Sequence, residues 1–308
     1  MRTAFVFPGQ AAQRAGMASA WADTPHAAAF DLVGERAGID LRTAADDADA
    51  CAASTALAQP AIHAASLAAF DALLDAGVRP DVVAGHSLGE VTAAVAAGVL
   101  ARRDGADLVV ARGEAMGRAC AASPGAMAAI VRLDLDVVED LVARVPDACI
   151  ANANAPGQVV VAGTPEAVDE VGRRAAEQRG RALPLKVEGA FHSEAMAPAV
   201  VRVDTLLRHL DVQDPAVPVV SGIDGLPRTS GEAVARALVD GILAPVRWID
   251  VQHALAADEV DLIVEVGPGG VLAGCAKRTV PDLPCVSVAG PEAVADVLAA
   301  LDAQSVHA

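Results

Sequence analysis

Short unbroken apolar runs alternate with longer alanine-rich stretches over the first 122 residues. Residues 1–8 and 82–84 are too apolar for loops and too short for helices, and the pattern predicts buried strands there. Residues 55–76, 88–98 and 103–120 predict helices. Strand–helix alternation of this kind argues for a parallel sheet covered by helices. Between 124 and 188 the pattern changes. Strands are predicted over 126–133, 149–152, 158–163 and 181–187. A helix over 134–145 is ended by Pro146. A second is opened by Thr164 as N-cap, with Pro165 at its first position, and closed by Gly180. The order β-α-β-β-α-β is the ferredoxin-like arrangement. After 189 the first style returns, with strands over 217–221 and 260–266 and a helix over 270–278. The expectation is an α/β fold: a large α/β-hydrolase-like domain with a parallel sheet (1–123 and 189–308) and an inserted small ferredoxin-like domain (124–188).

Composition narrows the function. Of 308 residues, 54% are hydrophobic but only 2% aromatic, so Ala, Val and Leu must pack the core. No window is long and apolar enough to suggest a bilayer span, and the N-terminal run is too short for a signal peptide. The five cysteines are scattered and lack C-x-x-C spacing, which argues against a disulfide framework or a zinc site and for a reducing cytoplasm. A net charge of −17 disfavours nucleic acid and anionic membranes as partners.

The sharpest local signal is Gly85-His86-Ser87-Leu88-Gly89, after a predicted strand and before a predicted helix. This is the G-x-S-x-G elbow in its expected setting, where a serine on a tight turn exposes its hydroxyl and the helix start aims N–H groups at a nascent oxyanion. A plain strand–turn–helix with a chance serine is the bland alternative. A nucleophilic serine needs a base. Of the seven histidines, His86 should point away from the neighbouring hydroxyl, His63 lies in an alanine-rich helix and His307 in the tail. His192, in Gly189-Ala190-Phe191-His192-Ser193, follows the last strand of the inserted unit, at a junction that suits a catalytic side chain but equally a bland loop histidine. On the 103–120 helix, Arg112 falls at the edge of the face carrying Val109, Gly113, Met116 and Cys120. A guanidinium turned inward needs an anion, either a buried carboxylate of the protein or a substrate carboxylate held bidentately. The run Val266-Gly267-Pro268-Gly269-Gly270 lacks P-loop spacing and reads as a strand-to-helix turn.

These motifs, in order, resemble a known family. Phe7-Pro8-Gly9-Gln10, Gln59-Pro60, Gly85-His86-Ser87-Leu88-Gly89-Glu90, Arg112, Asn154-Ala155-Pro156-Gly157-Gln158, Gly189-Ala190-Phe191-His192, Pro245-Val246-Arg247-Trp248 and Glu265-Val266-Gly267-Pro268-Gly269 are similar to malonyl-CoA:acyl-carrier-protein transacylases of fatty acid and polyketide synthesis. The resemblance implies Ser87 as nucleophile and His192 as its base, held by a backbone carbonyl from the stretch 241–244, with Gly241 the first choice. It implies Gln10 and Leu88 as oxyanion donors, Arg112 as partner of the malonyl carboxylate, and Gln59, Asn154 and Phe191 as pocket residues. Phe191 and Leu88 resemble malonyl-selective members. One departure is Ala11, where the family usually carries glycine after Gly-Gln. The activity implied is two-step transfer of malonyl from malonyl-CoA through Ser87 to an acyl carrier protein. It implies no cofactor or metal and a chain acting as a cytoplasmic monomer. The same Ser–His pair would also serve a thioesterase or esterase, and an acyl-group sensor that does no chemistry is a third reading. Arg173-Arg174, Arg179, Arg181 and Lys277-Arg278 are the basic clusters available to dock an acidic carrier.

Overall fold

The computed structural model describes residues 1–305; His307 lies outside them. Among the described residues, ten strands form two sheets. In the larger, β1 (Thr3–Phe7), β2 (Val82–Gly85), β7 (Val219–Val220), β8 (Pro227–Arg228), β9 (Leu262–Val266) and β10 (Cys285–Val288) lie in the order β10-β9-β1-β2-β7-β8. All neighbours run parallel except β7 and β8. β1, β2 and β9 are buried along their whole length, as strands covered on both faces must be. Phe5 and Phe7 meet Phe70 edge-on, each with ring centres 6.1 Å apart, pinning the helix Thr55–Asp75 to the sheet. That helix corrects one sequence expectation. Its 21 residues reach the length and mean hydropathy of a membrane span, yet 83% of the qualifying window is buried within the fold. It is a core helix, apolar all round because it is covered all round.

The second sheet is antiparallel, in the order β4-β5-β3-β6, from β3 (Ala126–Val131), β4 (Ala148–Ala155), β5 (Gln158–Gly163) and β6 (Arg181–Pro184). Helices Leu135–Val142 and Pro165–Glu177 cover one face and bury Val138, Leu141, Val168 and Val171 against it. Thr164 caps the second helix as expected, accepting from the Ala167 N–H at 3.2 Å. Its other end differs from expectation. Arg179, not Gly180, takes the left-handed conformation (φ +65°), while the Gly180 N–H returns to the Ala175 carbonyl at 2.9 Å. β4 runs longer than expected because two register shifts let it bend without leaving β5. The bend also carries it to the main body: the Ala153 N–H donates to the Val246 carbonyl and the Val246 N–H to the Ala151 carbonyl, both at 2.8 Å.

β6 stops short of the expected Val187 for a related reason. After a last bond from the Leu185 N–H to the Met127 carbonyl at 2.9 Å, residues 186–188 leave the sheet and cross to the N-terminus of the helix Thr55–Asp75. There the Glu188 carboxylate accepts from the Thr55 N–H at 2.7 Å, doing the capping that Ser54 does not. Replacing Glu188 with Ala should therefore lower unfolding stability by about 1 kcal/mol. Urea denaturation checks this; an unchanged midpoint would mean that water caps the helix equally well.

Candidate active site

Both glycines of the elbow are forced by close approach. A Cβ on Gly89 would sit 2.0 Å from the Phe7 carbonyl oxygen, and one on Gly85 would sit 2.1 Å from the Glu90 nitrogen. The strand and helix therefore close on each other without side chains, and Ser87 between them takes φ +53°. The helix Gly89–Ala96 starts directly behind it.

The fold brings the distant candidates to this hydroxyl. Ser87 Oγ lies 2.8 Å from His192 Nε2. His192 Nδ1 lies 2.9 Å from the Ala244 carbonyl. A carbonyl only accepts, so Nδ1 carries the hydrogen and Nε2 presents its lone pair to the serine. The expected stretch thus holds the histidine: Ala244 makes the 2.9 Å bond, and the Gly241 backbone adds a weaker one. Gly241 ends the helix before it and packs against Glu90, where a Cβ would meet Oε2 at 3.1 Å. His192 is only 4% exposed. Burial, then the nearby Arg112 and His86, push its pKa down to about 3, so the ring is neutral.

Arg112 is also 4% exposed. Burial pulls its pKa down to about 10, partly offset by the charge of Glu90, and it remains cationic at neutral pH. Nη2 donates to Ser87 Oγ at 3.2 Å and Nη1 to Gln59 Oε1 at 2.6 Å. Among the described residues it has no carboxylate within 4 Å, so the internal salt bridge that the sequence left open is not formed. Gln59, 1% exposed, does not line the cleft. It fixes Arg112 and donates onward to Thr55 Oγ1 at 2.9 Å, whose hydroxyl donates to Gln10 Oε1 at 2.8 Å. One polar chain thus joins the loop after β1, the helix Thr55–Asp75 and the guanidinium.

A cleft of about 70 Å³ holds Gln10, Ser87, Leu88, Arg112, Phe191 and His192 together, closed by Met116, Met127, Asn152, Leu185 and Val187. Asn154 lies in an adjoining recess of about 140 Å³ that shares Gln10, His86 and Asn152 with the cleft. Its Oδ1 is 2.9 Å from His86 Nε2, so His86 does turn away from the serine. Of the basic clusters, Arg173 and Arg174 are bound by Glu170, while Arg278 donates to Gln158 at the rim of the recess (2.6 Å). A larger groove of about 670 Å³ lies between the helices Ala197–Leu207 and Gly231–Asp240 and contains none of these residues. Among the described residues no group of three or more His, Cys, Asp or Glu could hold a metal. Sequence reasoning missed Asn152, Met127, Leu185 and Val187; Glu90 was quoted only as part of a motif.

The arrangement can deprotonate a hydroxyl next to a fixed cation, which is the chemistry of acyl transfer involving an acidic acyl group. Known proteins agree. A family model described as acyl transferase domain matches residues 4–302. A malonyl CoA-acyl carrier protein transacylase of Bacillus subtilis (strain 168) is 36% identical over 302 residues, covering 95% of each chain. The crystal structure of an acyl-carrier-protein S-malonyltransferase from Burkholderia pseudomallei 1710b is 38% identical, with TM-score 0.91 over 97% of this chain and 99% of that one. A malonyl-transacylase solved with a type II PKS acyl-carrier protein is 33% identical, with TM-score 0.90 over 96% and 98%. The chain therefore belongs to the acyl transferase domain family, alongside relatives named malonyl-CoA–acyl carrier protein transacylases.

Proposed function

We propose that this enzyme moves a malonyl group from malonyl-CoA to the phosphopantetheine thiol of an acyl carrier protein, through an ester on Ser87. The observation that carries this reading is the meeting of Ser87, His192 and Arg112 in one cleft, with the imidazole tautomer fixed by Ala244. Neutral His192 takes the Ser87 proton as Oγ attacks the thioester carbonyl. The backbone N–H groups of Gln10 and Leu88 receive the oxyanion, each worth about 3–4 kcal/mol by comparison with other acyl-transfer sites. The intermediate collapses, His192 returns the proton to the leaving thiolate, and coenzyme A departs. The carrier's thiol then enters by the same route in reverse. Thioester, ester and thioester lie close in energy, so the transfer runs both ways.

Arg112 selects the acyl group. Its unpaired charge is met by the free carboxylate of malonyl and left unmet by acetyl. Phe191 and Leu88 shape the acyl end, Gln59 positions Arg112, and Asn154 fixes His86 beside the recess through which a pantetheine arm would reach Ser87. Lys277-Arg278, next to that recess, is the basic cluster best sited to meet an acidic carrier. We take residues 1–123 and 189–308 as the catalytic unit, 124–188 as its insertion, and the active form as a monomer in a reducing cytoplasm, where the five free cysteines would stay reduced.

Intact-mass analysis after mixing with malonyl-CoA tests the reading. One malonyl adduct is expected on the native chain and none on Ser87→Ala; rapid release of free malonate without a carrier would make the enzyme a hydrolase instead. For Arg112→Ala, malonyl loading should fall by about 100-fold while acetyl loading changes little. Equal loss of both would make Arg112 structural. The oxyanion loop offers a third test. Ala11 is held at φ +81°, where a methyl group is strained and glycine is not. Ala11→Gly should raise unfolding stability by roughly 0.5–1 kcal/mol, after the entropy gained by the unfolded chain, without slowing malonyl loading.

A further inference from the structure

Thr55 has no part in the chemistry above, yet its hydroxyl is the middle link between Arg112 and the loop that carries Gln10. It opens the helix Thr55–Asp75 and is fully buried. Its N–H donates to the Glu188 carboxylate at 2.7 Å. Its carbonyl oxygen fits against Gly113, where a Cβ would lie 3.0 Å away, and its methyl group lies over Gly117, 3.6 Å from a Cβ there. Both glycines belong to the helix Arg102–Ala122 that also bears Arg112. With amide, carbonyl and methyl group all placed, χ1 is set and the hydroxyl points at Gln59 and Gln10.

The hydrogens of this chain run one way. A guanidinium donates and never accepts, so Gln59 meets Arg112 with Oε1. Its Nε2 is then the donor to Thr55 Oγ1, and also faces Met116 Sδ at 3.3 Å. The threonine hydroxyl, having accepted from Gln59, gives its single hydrogen to Gln10 Oε1 at 2.8 Å. Gln10 Nε2 is buried and has no partner, so among the described residues Thr55 alone ties this side chain inward. Next to Gln10, Gly9 crosses the elbow so closely that a Cβ would sit 2.5 Å from the His86 carbonyl oxygen. Two further bonds, from the Ala11 N–H to Gln13 Oε1 (2.8 Å) and from the Ala12 N–H to the Gly9 carbonyl (3.3 Å), stay within the loop. Thr55 is therefore the tether that joins the loop to the helices behind it.

We propose that Thr55 is a positioning residue for the oxyanion hole: its hydroxyl holds the Gln10 side chain, and with it the Gln10 backbone N–H, where the tetrahedral oxygen forms. The inference rests on the reading above, in which Gln10 is an oxyanion donor for acyl transfer through Ser87. Oxyanion stabilisation falls steeply when a donor is displaced by about 1 Å. Gln10 sits on a loop, and Ala11 beside it is held at φ +81°, a conformation that a residue with a Cβ keeps only when its surroundings hold it there. Thr55 gives that support from the start of a buried helix, at a point already fixed by Gln59. An oxyanion forms from any thioester, whatever its acyl group. Thr55 therefore acts on acetyl as well as malonyl transfer, whereas Arg112 acts on malonyl.

Thr55→Val keeps the shape and the methyl group and removes the hydroxyl. Rapid-quench measurement of Ser87 acylation by intact mass tests it. The limiting rate should fall about tenfold with acetyl-CoA, and at least as much with malonyl-CoA because Gln59 is released too; the half-saturating concentration of acetyl-CoA should stay within about twofold of native. Thr55→Ser should restore most of the rate. Gln10→Met cuts the same link from the other end and keeps the backbone N–H. With acetyl-CoA it should lose rate by the same factor, and Thr55→Val/Gln10→Met should lose no more than either alone. A native rate in Gln10→Met overturns the inference, whether or not Thr55→Val folds. So does a loss confined to malonyl-CoA, a loss in half-saturation alone, no recovery in Thr55→Ser, or losses that add in the double variant. Absence of any acyl adduct on the native chain is a different result, which sinks the acyl-transfer reading itself.

Discussion

A guanidinium sealed from water without a partner carboxylate governs the rest of this structure. Leaving such a charge uncompensated is among the most costly arrangements a fold can contain. Arg112 is tolerated because it is dispersed over several modest interactions: an amide oxygen from Gln59, the Ser87 hydroxyl, and the field of Glu90. Burial, reinforced by this same charge, keeps His192 neutral, as the acceptor of a serine proton must be. One buried cation thus bears on both stability and chemistry, and the cleft is poised for an anion within ion-pair distance that the protein itself does not supply.

The site is assembled at a junction. Ser87 and Arg112 belong to the layers around the parallel sheet, whereas Asn152, Met127 and Leu185 come from the antiparallel sheet and its exit. His192 stands just after the chain crosses back, and its own backbone is in the left-handed region. Its ring is nevertheless held on both nitrogens, by Ser87 on one side and Ala244 on the other. A histidine on a loop gains the precision of one on a strand when both its nitrogens are committed.

Much of this was legible in the residues. The elbow could be read because two glycines flank a serine at a strand-to-helix change, and no other residues allow that approach. Helical period placed Arg112 at the edge of the apolar face, without deciding which anion it would meet. His192 could not be singled out by local physics, since its partner lies 105 residues away; the succession of motifs supplied it. Gly241 was named first where Ala244 makes the stronger bond, because every residue carries a carbonyl and only the turn decides which one points most directly at the ring. Gln59 was placed in the pocket, yet it acts one bond behind it, a distinction of depth that no one-dimensional pattern contains. Asn152 escaped notice because the bends in β4 shift which of its residues face the cleft.

Those bends have an evolutionary corollary. The hydrogen bonds that fasten β4 to Val246 run from main chain to main chain. A seam of this kind is indifferent to which side chains it carries. Residues of β4 turned towards the acyl chain can be exchanged during divergence without loosening the joint, so one scaffold can explore new acyl groups while its two halves stay in register.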